Sequence, residues 1–221
     1  AEIAARGHEL ATHGYLHRSI ADLSEAEFRA DLRRARDVVE SAAGVPVTGF
    51  RAARWSLGGH PGGGRWGRAT GLCEAAIDIL IQERFRYDAS LAPIVHIGDP
   101  DWPLDPHVIE RPAGRILEYP PLVGRCLGVR LLLAGGWALR RVPNEVILRA
   151  IADRNRRGMP AVMVLHTWEF DPAPPRLPMP LRYRVAHYGG LRRFRAKIEA
   201  LIAGLRWVPV RDLLPNVAGR P

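Results

Sequence analysis

The sequence is short of both cysteine and lysine. Cys73 and Cys126 are too few and too far apart to form a zinc knuckle or a disulfide framework, so we interpret them as small buried hydrophobic residues. Lys197 is the only lysine, and the formal net charge of +9 therefore comes from arginines that are scattered along the chain. Nucleic-acid-binding proteins gather their basic residues into a contiguous stripe, so we expect no nucleic-acid partner.

The chain also lacks an apolar run of membrane-spanning length and a recognisable secretory signal. The glycine-rich segment 58–71 does not end in the Lys-Ser/Thr pair of a phosphate-binding loop, and we interpret it as an exposed loop. Hydrophobic residues make up 47% of the chain and charged residues 25%, which is ordinary for a globular protein. A length of 221 residues is enough for one domain with a sizeable core, so we predict a single domain.

The periodicity of apolar residues predicts alternating strands and helices. Ser24 and Glu27 form a capping box before a helix that Gly44 ends. Other helices are predicted over 72–84, 144–157 and 191–203, strands over 46–51, 85–88, 116–119, 129–133, 161–165 and 205–210, and loops over 93–112 and 171–180. This alternation indicates an α/β fold with a largely parallel sheet, either open or closed into a barrel.

A pair of histidines stands near the start of the chain, where residues 8–17 read His-Glu-Leu-Ala-Thr-His-Gly-Tyr-Leu-His. On a helical turn His13 and His17 would lie on one face, so both rings could converge on one divalent cation. Gly14 between them relaxes the backbone, as a turn that leaves a strand requires. Two histidines on a solvated turn have the same spacing, so the pair alone leaves metal binding open.

Polar side chains follow several of the predicted strands. Arg51, Asp88 and His166 each lie at or just past a strand end, and His13 follows the strand-like run 9–12. Because active sites of barrels with parallel strands lie at the carboxyl ends of those strands, we expect the four side chains to cluster on one rim.

Each of these residues has a chemical and a structural interpretation. His166 can donate a proton to a leaving amine, or it can be a core histidine that ends a buried strand. Asp88 can hold that imidazole, or it can cap a backbone amide in a turn. Arg51 can orient a carboxylate by a bidentate contact, or it can be one more surface arginine.

The tryptophans allow two interpretations as well. Trp55, Trp137 and Trp168 can form an aromatic wall for a sugar ring, whereas large aromatic side chains more often fill a core. The sequence alone leaves both open.

Taken together, these motifs resemble those of the polysaccharide deacetylases that carry the NodB homology domain. The resemblance is closest to the subfamily encoded in exopolysaccharide loci alongside exosortase systems. It covers nearly the whole chain and is carried by the histidine-rich opening, Phe50-Arg51-Ala52, Tyr87-Asp88-Ala89-Ser90, Glu118-Tyr119-Pro120-Pro121, Ala134-Gly135-Gly136 and the run from Leu165 to Pro172.

This resemblance implies a distorted (β/α) barrel that binds one divalent metal, usually zinc, and removes N-acetyl groups from a polysaccharide. His13 and His17 would be the two histidine ligands of the metal. His166 would be the general acid, with Asp88 tuning it, and Arg51 would position the general base. With the metal polarising the acetamide carbonyl and the histidine protonating the amine, such a mechanism is physically coherent.

We predict that Trp168, Tyr119 and Trp137 bind the polysaccharide. The resemblance also indicates a bacterial protein, and the absence of a visible signal or membrane segment favours the cytoplasm.

The chain departs from the family pattern at two places. Arg51-Ala52-Ala53 replaces the usual Arg-x-Pro, so the backbone there is expected to be less rigid. The aspartate-bearing first motif, which supplies the base and the third metal ligand, has no counterpart and should precede Ala1. Asp22 and Asp31 lie on or near a predicted surface helix and are poor substitutes.

We therefore expect a barrel that lacks its first strand, is truncated at the N-terminus and is nearly inactive by itself. The alternative is a non-catalytic glycan-binding or scaffold relative that has lost the base.

Overall fold

The structure is a computed structural model that describes residues 1–58, 71–94, 97–126 and 129–214. The chain forms two compact units. The first consists of Ala1–Pro120 together with the described residues from Val208 onward, and the second is Pro121–Trp207. The predicted loop 58–71 and the interpretation of the two cysteine side chains fall, apart from the ends of the loop, outside what the structure describes.

The first unit combines helices with a four-stranded sheet. Its helices are α1 (Glu2–Ala5), α2 (Glu25–Ala43) and α3 (Gly71–Gln82), its strands are β1 (Gly49–Phe50), β2 (Tyr87–Asp88), β3 (His107–Arg111) and β4 (Gly114–Glu118), and 3₁₀ turns span Ile20–Asp22, Ala53–Gly58 and Val210–Leu213. The strand order is β1-β2-β4-β3, in which β1, β2 and β4 are parallel and β3 is antiparallel to β4. The sheet is therefore mixed, and the predicted α/β class is confirmed.

Helix α2 shows how local sequence determines the fold of this unit. Ser24 and Glu27 form the predicted capping box, and Gly44 ends the helix in the left-handed conformation at φ 70°. The buried face of α2 brings Phe28 against Phe50 of β1, with ring centroids 5.8 Å apart, and Phe50 also contacts Phe85 at 6.1 Å. This aromatic cluster fixes the sheet beneath the helix.

The second unit is built from a hairpin and four helices. They are β5 (Val123–Cys126), β6 (Val129–Leu132), α4 (Gly136–Arg141), α5 (Asn144–Arg156), α6 (Leu181–Tyr188) and α7 (Leu191–Ala203), with a 3₁₀ turn at Thr167–Phe170. β5 and β6 pair antiparallel. The inward faces of α5 and α7 are buried at Ile147, Ile151, Phe194 and Ile198. The predicted helices 144–157 and 191–203 are confirmed.

Two predicted strands are wrong. The apolar run 161–165 makes one isolated bridge, between Val162 and Pro121, and only Val164 in it is buried. The opposing segment contains Pro120 and Pro121, which have no backbone N–H to donate, so the pairing does not extend. Residues 205–209 are likewise not a strand, and a 3₁₀ turn follows them after Pro209.

Several elements are not predicted from the sequence. β3 lies inside the predicted loop 93–112, where it forms a hairpin with β4, and the others are β5, α4 and α6. Closure of the strands into a barrel stays a prediction. None of the helices in the described part of the chain combines the length and the apolar character needed to span a membrane.

Candidate active site

Polar residues lie in register at one end of the four-stranded sheet, where its parallel strands finish. Thr12 bridges Phe50, Phe50 pairs with Asp88, and Asp88 pairs with Glu118, all in parallel. His13 follows Thr12 directly. The structure thus brings three of the predicted residues, His13, Arg51 and Asp88, to the carboxyl ends of neighbouring strands.

The histidine pair does not lie on a helical turn, so that premise of the sequence analysis is wrong. Gly14 has φ 79° and His17 has φ 53°, both left-handed, and the chain bends between the two histidines. The turn that Gly14 was expected to allow is present. The bend still brings the rings together, with centroids 5.0 Å apart and planes at 71°.

The hydrogen bonding of His13 suits a metal ligand. Its Nδ1 lies 2.7 Å from the carbonyl oxygen of Arg51, which can only accept, so Nδ1 is the donor. The lone pair is then on Nε2, the arrangement that histidine ligands adopt when a carbonyl orients them. A tetrahedral zinc site commonly takes at least three protein ligands. Across the described ranges, no group of three His, Cys, Asp or Glu side chains is placed to hold a metal ion, so this pair accounts for two ligands.

Helix α2 holds the segment between the two histidines. The two carboxylate oxygens of Asp31 accept hydrogen bonds from the backbone N–H groups of Tyr15 at 2.8 Å and Leu16 at 2.9 Å. One turn further along α2, the guanidinium of Arg34 lies 4.0 Å from the centre of the Tyr15 ring and donates to its hydroxyl at 3.1 Å. Asp31 therefore acts here as a clamp for the loop.

We expect Asp31→Asn to loosen this loop, because an amide replaces one of the two acceptors with a donor. Exchange of the Tyr15 and Leu16 amide hydrogens should accelerate about tenfold, which corresponds to about 1.4 kcal/mol of local stabilisation. Asp37→Asn removes the same charge from the same helix and serves as the control. Equal exchange rates in the two variants would contradict the clamp.

A buried pair of carboxyl groups lies at the same end of the sheet. Asp88 accepts from the Ser90 hydroxyl at 2.5 Å and from the Ser90 backbone N–H at 3.1 Å, and Glu118 accepts from the Leu91 N–H at 3.0 Å. The two carboxyl groups are close enough that each shifts the pKa of the other. Burial and the repulsion between two neighbouring carboxylates favour a state in which the Asp88–Glu118 pair keeps one proton.

Burial sets the charge of this pair. Desolvation raises the pKa of Glu118 well above its ordinary value, and the charge of Asp88 acts in the same direction. Desolvation also raises the pKa of Asp88, against the opposing hydrogen bonds from Glu118 and Ser90. Arg51, whose Nε donates to the Ala89 carbonyl at 2.8 Å, supplies a positive charge that favours ionisation of Glu118. One shared proton leaves a single negative charge near one guanidinium.

Glu118 lies beside Asp88 but is not among the predicted site residues. Its position at the end of the predicted strand 116–119 is the sequence signal that places it on the same rim as Asp88. The contacts of Asp88 also support its structural interpretation, because its carboxylate accepts from the backbone N–H of Ser90.

Tyr119, a predicted substrate-binding residue, is fully buried. Its ring packs edge-on against Tyr87 at 5.8 Å, and burial raises its pKa to about 12. Tyr119 fills the core in this structure, and a role in binding polysaccharide requires its ring to become exposed.

His166 lies in the second unit, where it precedes the 3₁₀ turn Thr167–Phe170. Its side chain is 53% exposed, so it is not the core histidine of the alternative interpretation. Its Nδ1 lies 3.2 Å from Oε2 of Glu169, and the same oxygen accepts from the His166 backbone N–H at 3.0 Å. Arg140 binds the other oxygen, Oε1. The partners that the structure gives to Asp88 are Ser90 and Glu118, and a role for Asp88 in tuning His166 stays a prediction.

Glu169 is fully buried. Burial raises its pKa, but the hydrogen bonds from His166 and the charge of Arg140 lower the pKa by more, so the net direction is downward. Glu169 is therefore an ionised acceptor beneath an exposed imidazole. The sequence signal for it was its position three residues after His166, the spacing of a capping box.

The predicted aromatic wall is distributed over both units. In the second unit, Trp168 stacks on His187 with ring centroids 4.4 Å apart and planes at 15°, and Trp137 is 48% exposed. In the first unit, Trp55 lies beside the guanidinium of Arg51, 5.2 Å from ring centre to Cζ. Their role in binding a sugar stays a prediction.

Two family models match this chain. The model described as "Domain of unknown function (DUF3473)" matches residues 89–215, and the polysaccharide deacetylase model matches residues 1–57. His13, His17 and Arg51 fall in the polysaccharide deacetylase match, whereas His166, Trp168, Tyr119 and Trp137 fall in the DUF3473 match. No curated protein sequence matches the chain.

Two solved structures are similar in fold. One is that of a proposed polysaccharide deacetylase from Mycobacterium smegmatis, at 23% identity and a TM-score of 0.55, with 98% of this chain and 65% of that chain covered. The other is a 4-alpha-glucanotransferase from Thermococcus litoralis, at 13% identity and a TM-score of 0.51, with 89% and 27% covered. The chain thus spans about 65% of the length of the Mycobacterium smegmatis protein. The polysaccharide deacetylase match is confined to the first 57 residues, and the two solved structures show a likeness of fold.

Proposed function

We propose that this chain, which belongs to the DUF3473 family, is a metal-dependent hydrolase that removes N-acetyl groups from a polysaccharide during exopolysaccharide synthesis or modification. The observation that carries the proposal is the histidine pair. His13 and His17 lie with ring centroids 5.0 Å apart, inside the segment that matches the polysaccharide deacetylase model. The hydrogen bond from Nδ1 of His13 to the Arg51 carbonyl also supports the proposal, because it leaves the lone pair of the ring on Nε2.

The residues of the chain would divide the reaction between them. A divalent metal held at the histidine pair, most simply zinc, would supply Lewis acidity toward an amide carbonyl and toward water. His13 and His17 would hold that metal, and the exposed imidazole of His166 would give a proton to the departing amine nitrogen. The positive charge of Arg51 would offset the negative charge of the Asp88–Glu118 pair. Trp168 and Trp137 would contact the sugar rings.

A specific observation favours a second candidate, a non-catalytic glycan-binding or scaffold relative. In the described residues the histidine pair has no carboxylate or cysteine placed to complete a three-ligand site. A chain that has lost its base and third ligand would keep the fold and the aromatic contacts while releasing no acetate.

The proposal is tested by acetate and free-amine release from N-acetylglucosamine oligomers by the protein as its gene encodes it. We expect turnover with zinc, and loss of turnover when a chelator removes the metal. His166→Ala should reduce kcat about 100-fold, because a positioned general acid contributes a factor of that order. His13→Ala should abolish both zinc binding and turnover, whereas His8→Ala, which changes an exposed histidine of the same segment, should alter neither.

The outcomes separate the two candidates. Turnover that survives chelation or His13→Ala would contradict the proposal, whereas saturable binding of the oligomers without acetate release would favour the glycan-binding alternative. For residues 1–221 alone, we expect weak zinc binding and almost no turnover, because within the described residues two imidazoles leave the ligand set incomplete.

A further inference from the structure

We propose that Glu169 is the positioning residue that fixes the tautomer and the ring orientation of His166. This inference rests on the proposed function, in which His166 delivers a proton to the departing amine. Its evidence lies entirely within the second unit and is independent of the metal ligands.

The contacts of the carboxylate determine which nitrogen of His166 reacts. Oε2 of Glu169 accepts from Nδ1 of the ring at 3.2 Å and from the backbone N–H of the same residue at 3.0 Å. An ionised carboxylate only accepts hydrogen bonds, so the neutral ring carries its proton on Nδ1. Nε2 is then the nitrogen that exchanges a proton with a substrate.

The carboxylate is itself held in place. Arg140 binds Oε1 of Glu169 and also donates to the carbonyl oxygens of Ala186 at 2.7 Å and Gly189 at 3.1 Å. These bonds tie Glu169 to the end of α6 and add to the two hydrogen bonds that already join its other oxygen to His166. The ring of His166 therefore has one supported orientation.

The pattern of burial distinguishes this arrangement from a simple ion pair. The side chain of Arg140 is 3% exposed and that of Glu169 is 0% exposed, whereas the side chain of His166 is 53% exposed. A buried, ionised carboxylate beneath a solvent-facing imidazole is the geometry in which a third group orients a catalytic base or acid. A structural ion pair alone does not require the histidine.

Two variants isolate the carboxylate. Arg140→Met leaves the carboxylate of Glu169 with its two hydrogen bonds from His166 but without its counter-charge, while the double variant Arg140→Met/Glu169→Met removes the acceptor as well and leaves no unpaired buried charge. Nitrogen NMR of the His166 ring, at a pH where the imidazole is neutral, reports the tautomer without substrate or metal. We expect the Nδ1–H form in the unmodified protein and in Arg140→Met, and its loss as the main form in the double variant.

In the deacetylase assay, the double variant should have a kcat about 100-fold below that of Arg140→Met, with a similar KM. An Nε2–H ring in the unmodified protein would overturn the proposal even if both variants failed to fold, and so would the same tautomer in both variants. If the protein releases no acetate, the proposed function fails while the NMR result still decides the role of Glu169.

Discussion

Glu169→Met alone should lower the free energy of unfolding by about 3–5 kcal/mol. The substitution leaves the guanidinium of Arg140 buried without its counter-charge, and stranding one member of a buried ion pair costs about this amount. The Arg140 side chain is 3% exposed and cannot reach water without disturbing the helices around it. Urea denaturation followed by circular dichroism measures the change.

The double variant Arg140→Met/Glu169→Met is the control for this prediction. It removes both charges and fills similar volume with apolar side chains, so most of the lost stability should return. If the double variant is as unstable as Glu169→Met, the loss comes from packing and not from the uncompensated charge. Arg156, which pairs with Asp153 on the exposed face of α5, offers a surface comparison: Arg156→Met should change stability by less than about 1 kcal/mol.

Glu118→Gln should remove a pH dependence from the stability of the protein. Burial raises the pKa of Glu118 above its ordinary value of 4.5, so above that pH the folded state binds more protons than the unfolded state. The contribution of Glu118 to stability is then largest at low pH and is lost as pH rises toward the folded pKa, by about 1.4 kcal/mol per pH unit for one proton. In Glu118→Gln the side chain is neutral at every pH, and its oxygen can still accept from the Leu91 N–H.

We therefore expect the difference in unfolding free energy between Glu118→Gln and the unmodified protein to grow in favour of the variant from about pH 4.5 upward. Urea titrations at several pH values give this difference. Glu110→Gln makes the same change on an exposed side chain of β3 and should follow the unmodified protein at every pH. A Glu118→Gln curve parallel to that of the unmodified protein would show that the pair carries no shared proton.

Both predictions concern residues that the sequence did not single out. Glu118 becomes significant because β2 and β4 pair in a register that places it beside Asp88, 30 positions away in the chain (118 minus 88). Glu169 becomes significant because Arg140 reaches it from another helix. The pKa of a buried carboxyl group depends on desolvation and on partners distant in sequence, and a local motif encodes neither.

Where local rules dominate, the sequence by itself was sufficient. Periodicity and end signals predicted α2, α5 and α7, because a capping residue, a left-handed glycine and an apolar stripe all act within a few residues. The order of strands and helices predicted the α/β class. The positions of the predicted strand ends also correctly predicted that His13, Arg51 and Asp88 lie at one end of the sheet.

Only the tertiary structure decided how those residues are used. It replaced the helical turn of His13 and His17 with a bend that Asp31 holds from α2, and it reduced the apolar run before His166 to a single bridge. It also paired Asp88 with Glu118 and His166 with Glu169. The physical reason is the same in each case: the residue that determines the geometry belongs to another element, or pairs across the sheet, and its effect depends on burial that only the folded chain produces.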